Sequence, residues 1–149
     1  MSIMPPDVRQ AVADLMTEYC YRVDRLEDGN AELLALFTSD AVCDFSPIGL
    51  PEMTTREAIK GFYDSVFEDM THHFHMIANH RPESWDGTVA VMTAYVMGLG
   101  RSSDGNTVDV KVRYRMECVE EGGRWKIRRY TISPGMPLPG SLGEIHGER

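Results

Sequence analysis

Val8, Val12, Leu15, Met16, Tyr19, Val23 and Leu26 recur at three- and four-residue steps, a period that predicts an amphipathic helix over residues 7–27. Pro5-Pro6-Asp7 opens it, because proline tolerates the first helical turn and an acid there suits the helix dipole. Asp28-Gly29-Asn30 closes it, and a short second helix is expected over 31–37. Ser39-Asp40 then introduces a small apolar strand over 41–45. Ser46-Pro47-Ile48-Gly49-Leu50-Pro51 reads as a loop carrying two aliphatic residues. Thr54 or Thr55 can cap a third helix, with Glu57 or Ala58 where a capping box wants an acid, and Ile59, Phe62, Tyr63, Val66 and Phe67 carry it to about Met70.

After Met70 the period changes from helical to alternating. Residues 72–83, 88–99, 107–119 and 125–133 read as long strands, separated by turns at Asp86-Gly87, Ser102-Ser103-Asp104-Gly105-Asn106 and Glu121-Gly122-Gly123. Such short connections make consecutive strands antiparallel neighbours. In the third of them Val108, Val110, Val112, Tyr114, Met116 and Cys118 point one way and Asp109, Lys111, Arg113, Arg115 and Glu117 the other, so one face is packed and the other wet. Helices followed by a run of antiparallel strands give an α+β order with the helices on one face of a curved sheet. The expected organisation is a single domain over 1–133 and a Pro/Gly-rich tail over 134–149 that has no period.

Composition narrows the function. The chain has 149 residues and a formal net charge of −8, a balance that argues against a nucleic-acid partner, whose affinity needs clustered cations. No apolar run approaches the length of a membrane span, and the first ten residues lack the layout of a secretory signal. Cys20, Cys43 and Cys118 are odd in number and widely spaced, which fits free thiols and a cytoplasmic setting.

Three places carry candidate chemistry. Asp24 lies above Cys20, Thr17 and Ala13 on its helix, small neighbours that place the carboxylate at the border of the interior; a helix-end acid in water or paired with Arg22 or Arg25 is the other reading. Residues 71–81 hold four of the five histidines. As a strand they put His73, His75, Ile77, Asn79 and Arg81 on one face and His72, Phe74, Met76, Ala78 and His80 on the other. A metal would need a third ligand of matching spacing beside His73 and His75, whereas a neutral imidazole held by a carboxylate suits proton transfer near neutrality. Arg129 alternates in step with Trp125 and Ile127, which puts a cation on the packed face unless a twist or bulge turns it out. Tyr95 and Tyr114 can offer hydroxyls to a cavity, and Met92, Met97 and Met116 an adaptable lining.

Tyr19-Cys20-Tyr21-Arg22-Val23-Asp24-Arg25, Leu36-Phe37-Thr38-Ser39-Asp40-Ala41-Val42, Thr55-Arg56-Glu57-Ala58-Ile59, the histidine-rich stretch 71–81 and Gly123-Arg124-Trp125-Lys126-Ile127 together resemble the SnoaL-like proteins of the nuclear transport factor 2-like superfamily. The resemblance spans about residues 7–133. It implies a cone-shaped α+β barrel, a strongly curved antiparallel sheet around three helices with a deep pocket between them. Relatives in that superfamily include scytalone dehydratase, hexachlorocyclohexane dehydrochlorinase, ketosteroid isomerase, polyketide cyclases and the small subunits of ring-hydroxylating dioxygenases. In the dehydratase and dehydrochlorinase branch an aspartate late in the first helix pairs with a histidine on the first long strand, four residues before an asparagine; Asp24, His75 and Asn79 occupy those places. The further histidine that the dehydratase draws from a later strand has no counterpart in 107–119, and Arg129 lies near a cationic position of the dehydrochlorinase.

The resulting expectation is a cofactor-independent lyase or isomerase acting on a small, largely apolar substrate that bears a carbonyl or a leaving group. His75 is its base, Asp24 orients that base, and Arg129 or Tyr114 steadies developing negative charge. Tyr19, Phe45, Ile48, Leu50, Asn79, Tyr95, Tyr114 and Met116 are candidate substrate contacts. A non-catalytic binding protein or a scaffolding subunit of an oxygenase is the alternative, with a His-ligated metal enzyme behind it. A homo-oligomer, dimer or trimer, is expected through the open sheet face.

Overall fold

The computed structural model describes residues 2–26 and 29–139. Its first helix, α1 (Pro6–Asp24), begins at the expected prolines and buries Val12, Leu15, Met16, Tyr19, Cys20 and Val23 along one stripe. It ends at Asp24, three residues short of the expected 27, with Arg25 at the C-cap; positions 27 and 28 fall outside the described residues. The second helix, α2 (Ala31–Leu34), is shorter than its pattern, because Phe37 already belongs to the strand β1 (Phe37–Asp44), which opens four residues earlier than its apolar run. Ser46–Ile48 forms a 3-10 turn ended by Gly49 at φ 79°, a left-handed conformation that favours glycine. The chain then makes the two-residue strand β2 (Glu52–Met53) and α3 (Arg56–Asp69). Thr55 caps α3, its hydroxyl oxygen accepting from the Ala58 N–H at 3.1 Å. Alanine at that place cannot return the bond, so the capping box is half made.

Four long strands follow: β3 (Met70–Trp85), β4 (Ala90–Ser102), β5 (Thr107–Glu121) and β6 (Arg124–Pro134). The sheet order is β2-β1-β6-β5-β4-β3. The long strands pair antiparallel as their short turns require, while β1 lies parallel to β6. The sheet is curved and unclosed, and the arrangement is that of the α+β cone expected from the sequence. Arg56 ties the start of α3 to the neighbouring turn, donating to the carbonyls of Leu34 at 2.8 Å, Phe37 at 3.2 Å and Thr38 at 3.3 Å.

Two bulges decide which side chains face inward. In β3 the register moves three residues, Ala78 to Arg81, against two on β4, and Asn79 takes φ 56°. His73, His75 and Ile77 face in before it, and after it His80 and Pro82 take the inner places while Asn79 and Arg81 are exposed; a further shift between Pro82 and Ser84 then brings Trp85 opposite Ala90 and against the core. The expected common face of His75, Asn79 and Arg81 is therefore broken at Asn79. In β6 the register between Glu117↔Arg129 and Cys118↔Ile127 leaves Arg128 as an extra residue. Ile127 and Tyr130 both point in, and Arg129 is turned outward.

Beyond β6 the chain stays attached, since the N–H groups of Gly135 and Met136 donate to the Lys111 carbonyl at 2.8 and 3.2 Å. Residues 140–149 of the expected tail lie outside the described residues. No helix among the described residues is long and apolar enough to cross a membrane.

Candidate active site

An apolar cavity of about 100 Å³ opens between α1, α3, the 3-10 turn and the inner face of β3 to β6. Phe45, Ile48, Leu50, Phe62, Val66, Val108, Val112 and Ile132 form its walls, and its polar groups come from Tyr19, Tyr63, Tyr114, His73 and His75.

Asp24 is the last residue of α1, where the dipole of the helix disfavours an anion. Its carboxylate is held there by His75. Oδ2 accepts the His75 backbone N–H at 3.0 Å, and Oδ1 accepts the ring Nδ1–H at 2.6 Å. The pair is largely shielded, with side chains 24% and 14% exposed. With Nδ1 donating to the carboxylate, Nε2 of the neutral ring carries the lone pair, and His75 is part of the cavity lining. His75 pairs across the sheet with Gly98, and a Cβ built on Gly98 would stand 3.3 Å from the imidazole Cδ2 and 3.4 Å from Nε2. His73 pairs likewise with Gly100, whose Cβ would lie 3.1 Å from its ring. Two glycines inside a strand thus leave the space that two imidazoles occupy.

His73 is fixed from the same helix end: its Nδ1 donates to the Val23 carbonyl at 3.1 Å. Burial, reinforced by the neighbouring His75, holds its pKa below the ordinary histidine value, against the opposing pull of the Val23 bond and Asp24. On the far wall the Tyr19 and Tyr63 hydroxyls share a hydrogen bond. Tyr114 and Tyr130 pack edge-on against Tyr19 at centroid distances of 5.8 and 4.9 Å. Burial pushes all four phenols well above their usual pKa, so they remain neutral donors.

Of the residues singled out from the sequence, Asp24 and His75 meet, and Tyr19, Phe45, Ile48, Leu50 and Tyr114 line the cavity beside them. Met116 is fully buried in the core and lies behind that lining. Asn79 and Tyr95 border a groove on the outer face of the sheet, where Tyr95 is 53% exposed and the Arg113 guanidinium sits 5.1 Å over its ring. Arg129 is likewise outside, 44% exposed and 4.0 Å from Glu117. The extra residue in β6 moved it, and with it goes the expected cation at the dyad. Sequence reading missed Tyr63, Gly98 and Gly100 as site residues, and His73 as more than half of a metal pair. The glycines had a signal, since Gly98-Leu99-Gly100 interrupts a strand pattern. Among the described residues no three His, Cys, Asp or Glu side chains come together as a metal site would require.

A family model for the SnoaL-like domain matches residues 7–131. No curated protein matches the chain. Among solved structures it is similar to a Novosphingobium aromaticivorans protein proposed to be an aromatic ring hydroxylase, at 38% identity and a TM-score of 0.91 over 96% of this chain and 99% of that one. A protein of the same organism, proposed to be a scytalone dehydratase, aligns at 22% identity and a TM-score of 0.75 over 85% of this chain and 83% of the other. Hexachlorocyclohexane dehydrochlorinase LinA-type3 of Novosphingobium barchaimii aligns at 20% identity and a TM-score of 0.72, over 90% and 92% of the two chains. The last two share the fold of this chain, and the match over nearly its whole length shows that it belongs to the SnoaL-like domain family.

Proposed function

We propose that this chain is a cofactor-independent lyase or isomerase that removes a carbon-bound proton from a small, largely apolar substrate bearing a carbonyl or a leaving group. The contact between Asp24 and His75 at the edge of an apolar cavity carries the reading. His75 Nε2 takes the proton, and Asp24 holds the ring in the tautomer that exposes that nitrogen and balances the imidazolium that forms. A tyrosine hydroxyl, Tyr114 in the first place, donates to the oxygen on which charge develops, the role that Arg129 is too far away to fill. Base catalysis supplies about 10²–10⁴-fold, and the remainder comes from holding the carbon acid against Nε2 in a place that excludes water. The relatives in this fold include proteins named as a dehydrochlorinase and a proposed dehydratase, names that describe the removal of hydrogen chloride and of water.

The test needs no natural substrate. Exchange of the α-hydrogens of cyclohexanone in D₂O, followed by proton NMR, is expected to run faster with the protein than in buffer. His75→Ala is expected to lower the protein-catalysed rate about 10²-fold or more, with Asp24→Asn close behind. Exchange that is equally fast in both variants removes the dyad as the base.

A further inference from the structure

His73 has no part in the proton transfer, yet it is built into the same cavity wall two residues before the base. Its ring lies 5.5 Å from that of His75, nearly perpendicular at 80°. Val23 and Asp24, consecutive at the end of α1, each occupy one Nδ1. The result is the same for both rings: the hydrogen sits on Nδ1, and Nε2 is left with its lone pair. Among the described residues neither Nε2 has a hydrogen-bond partner, and neither is sealed off in the way that Nε2 of His80 is. The lowered pKa of His73 keeps that nitrogen an acceptor at neutral pH. Elsewhere in the cavity the polar groups are tyrosine hydroxyls, which act as donors to a bound oxygen.

We propose that Nε2 of His73 recognises a hydroxyl group on the substrate, beside the carbon from which His75 takes the proton. Each nitrogen reaches a partner about 3 Å away. Rings whose centroids lie 5.5 Å apart can therefore meet a C–H and an O–H carried on the same carbon or on neighbouring ones. The substrate class is a small hydroxy-carbonyl compound, its hydroxyl donated to His73 and its carbonyl oxygen accepting from a tyrosine. A group left without its partner in an apolar wall is costly, so the unhydroxylated analogue is disfavoured by more than the lost bond alone.

The inference deepens the lyase or isomerase reading and rests on it only for what happens next to the hydroxyl. Full-length protein labelled with ¹⁵N in histidine is titrated with 2-hydroxycyclohexanone and with cyclohexanone. The hydroxylated probe is expected to bind about tenfold more tightly and to shift the His73 Nε2 resonance, which cyclohexanone leaves in place. His73→Asn keeps an amide donor for the Val23 carbonyl but offers nothing at the Nε2 position, and it is expected to abolish the preference. His73→Gln, which extends an amide oxygen to that position, is expected to restore part of it. Equal binding of the two probes, binding of neither, or a preference that survives His73→Asn overturns the proposal. Binding is read without turnover, so a protein that fails to exchange α-hydrogens yet prefers the hydroxylated probe loses the base and keeps the recognition.

Discussion

Three thiols and two imidazoles show how burial sets the chemistry of single side chains in this protein. Cys20, Cys43 and Cys118 are buried, and loss of solvation pushes the thiols of Cys20 and Cys118 up to about 12 and that of Cys43 further. A thiol-reactive chromophore such as DTNB is therefore expected to label none of them at neutral pH until denaturant is added, and fast labelling of the folded chain would contradict this placement. His73 and His80 move the other way, both held below the ordinary histidine pKa chiefly by burial. The unfolded chain then binds more protons than the folded one between those lowered values and about 6.5. Stability is accordingly full above about pH 6.5 and falls as the pH drops through that window. Urea midpoints taken at about pH 7.5 and about pH 5.5 are expected to differ less in His73→Asn than in the parent chain.

At the level of helices and strands, much of the fold was legible because its signals are local. Pro5-Pro6, the i, i+3, i+4 stripe of α1, Thr55 and the alternation of β5 each act within a few residues, and each element begins where its pattern put it, although α1 stops three residues early. Asp24 stood out by its place on a helix, whereas alternation left His73 and His75 alike on one face of a strand, and the choice of His75 as its partner came from the family resemblance. What could not be read depends on partners far along the chain. The parallel pairing of β1 with β6 and the early start of β1 are set across the sheet. So are the bulges that swap Asn79 for His80 and expel Arg129. Two substitutions test this level. Arg56→Ala removes the three bonds that seat α3 on the turn before β1 and is expected to cost about 2–4 kcal/mol in chemical denaturation. Gly98→Ala places a methyl 3.3 Å from the His75 ring and 3.2 Å from Val110. It is expected to slow α-exchange of cyclohexanone more than it lowers stability, since the added group presses on the imidazole itself.

The molecule as a whole presents two unlike faces of one sheet. The inner face holds the cavity, while the outer one exposes Phe74, Met76, Tyr95 and Met97 at 58, 57, 53 and 43%, with Leu99 and Met136 beside them. Monomeric chains seldom leave so many large apolar groups together in water, and self-association through this face is the proposal carried forward from the sequence. Sedimentation velocity is expected to give a species of at least twice 16.8 kDa, with Met97→Lys shifting it toward that mass. A monomer at all concentrations would leave the face bare. The extra residue at Arg128 links the two surfaces. Because a strand changes sides with every step, that single unpaired residue acts as a parity bit for the last stretch of β6: were Arg128 instead seated opposite Glu117 in regular alternation, Arg129 would turn inward and Tyr130 outward. One residue without an opposite number thus keeps a guanidinium out of the core and a phenol ring within it.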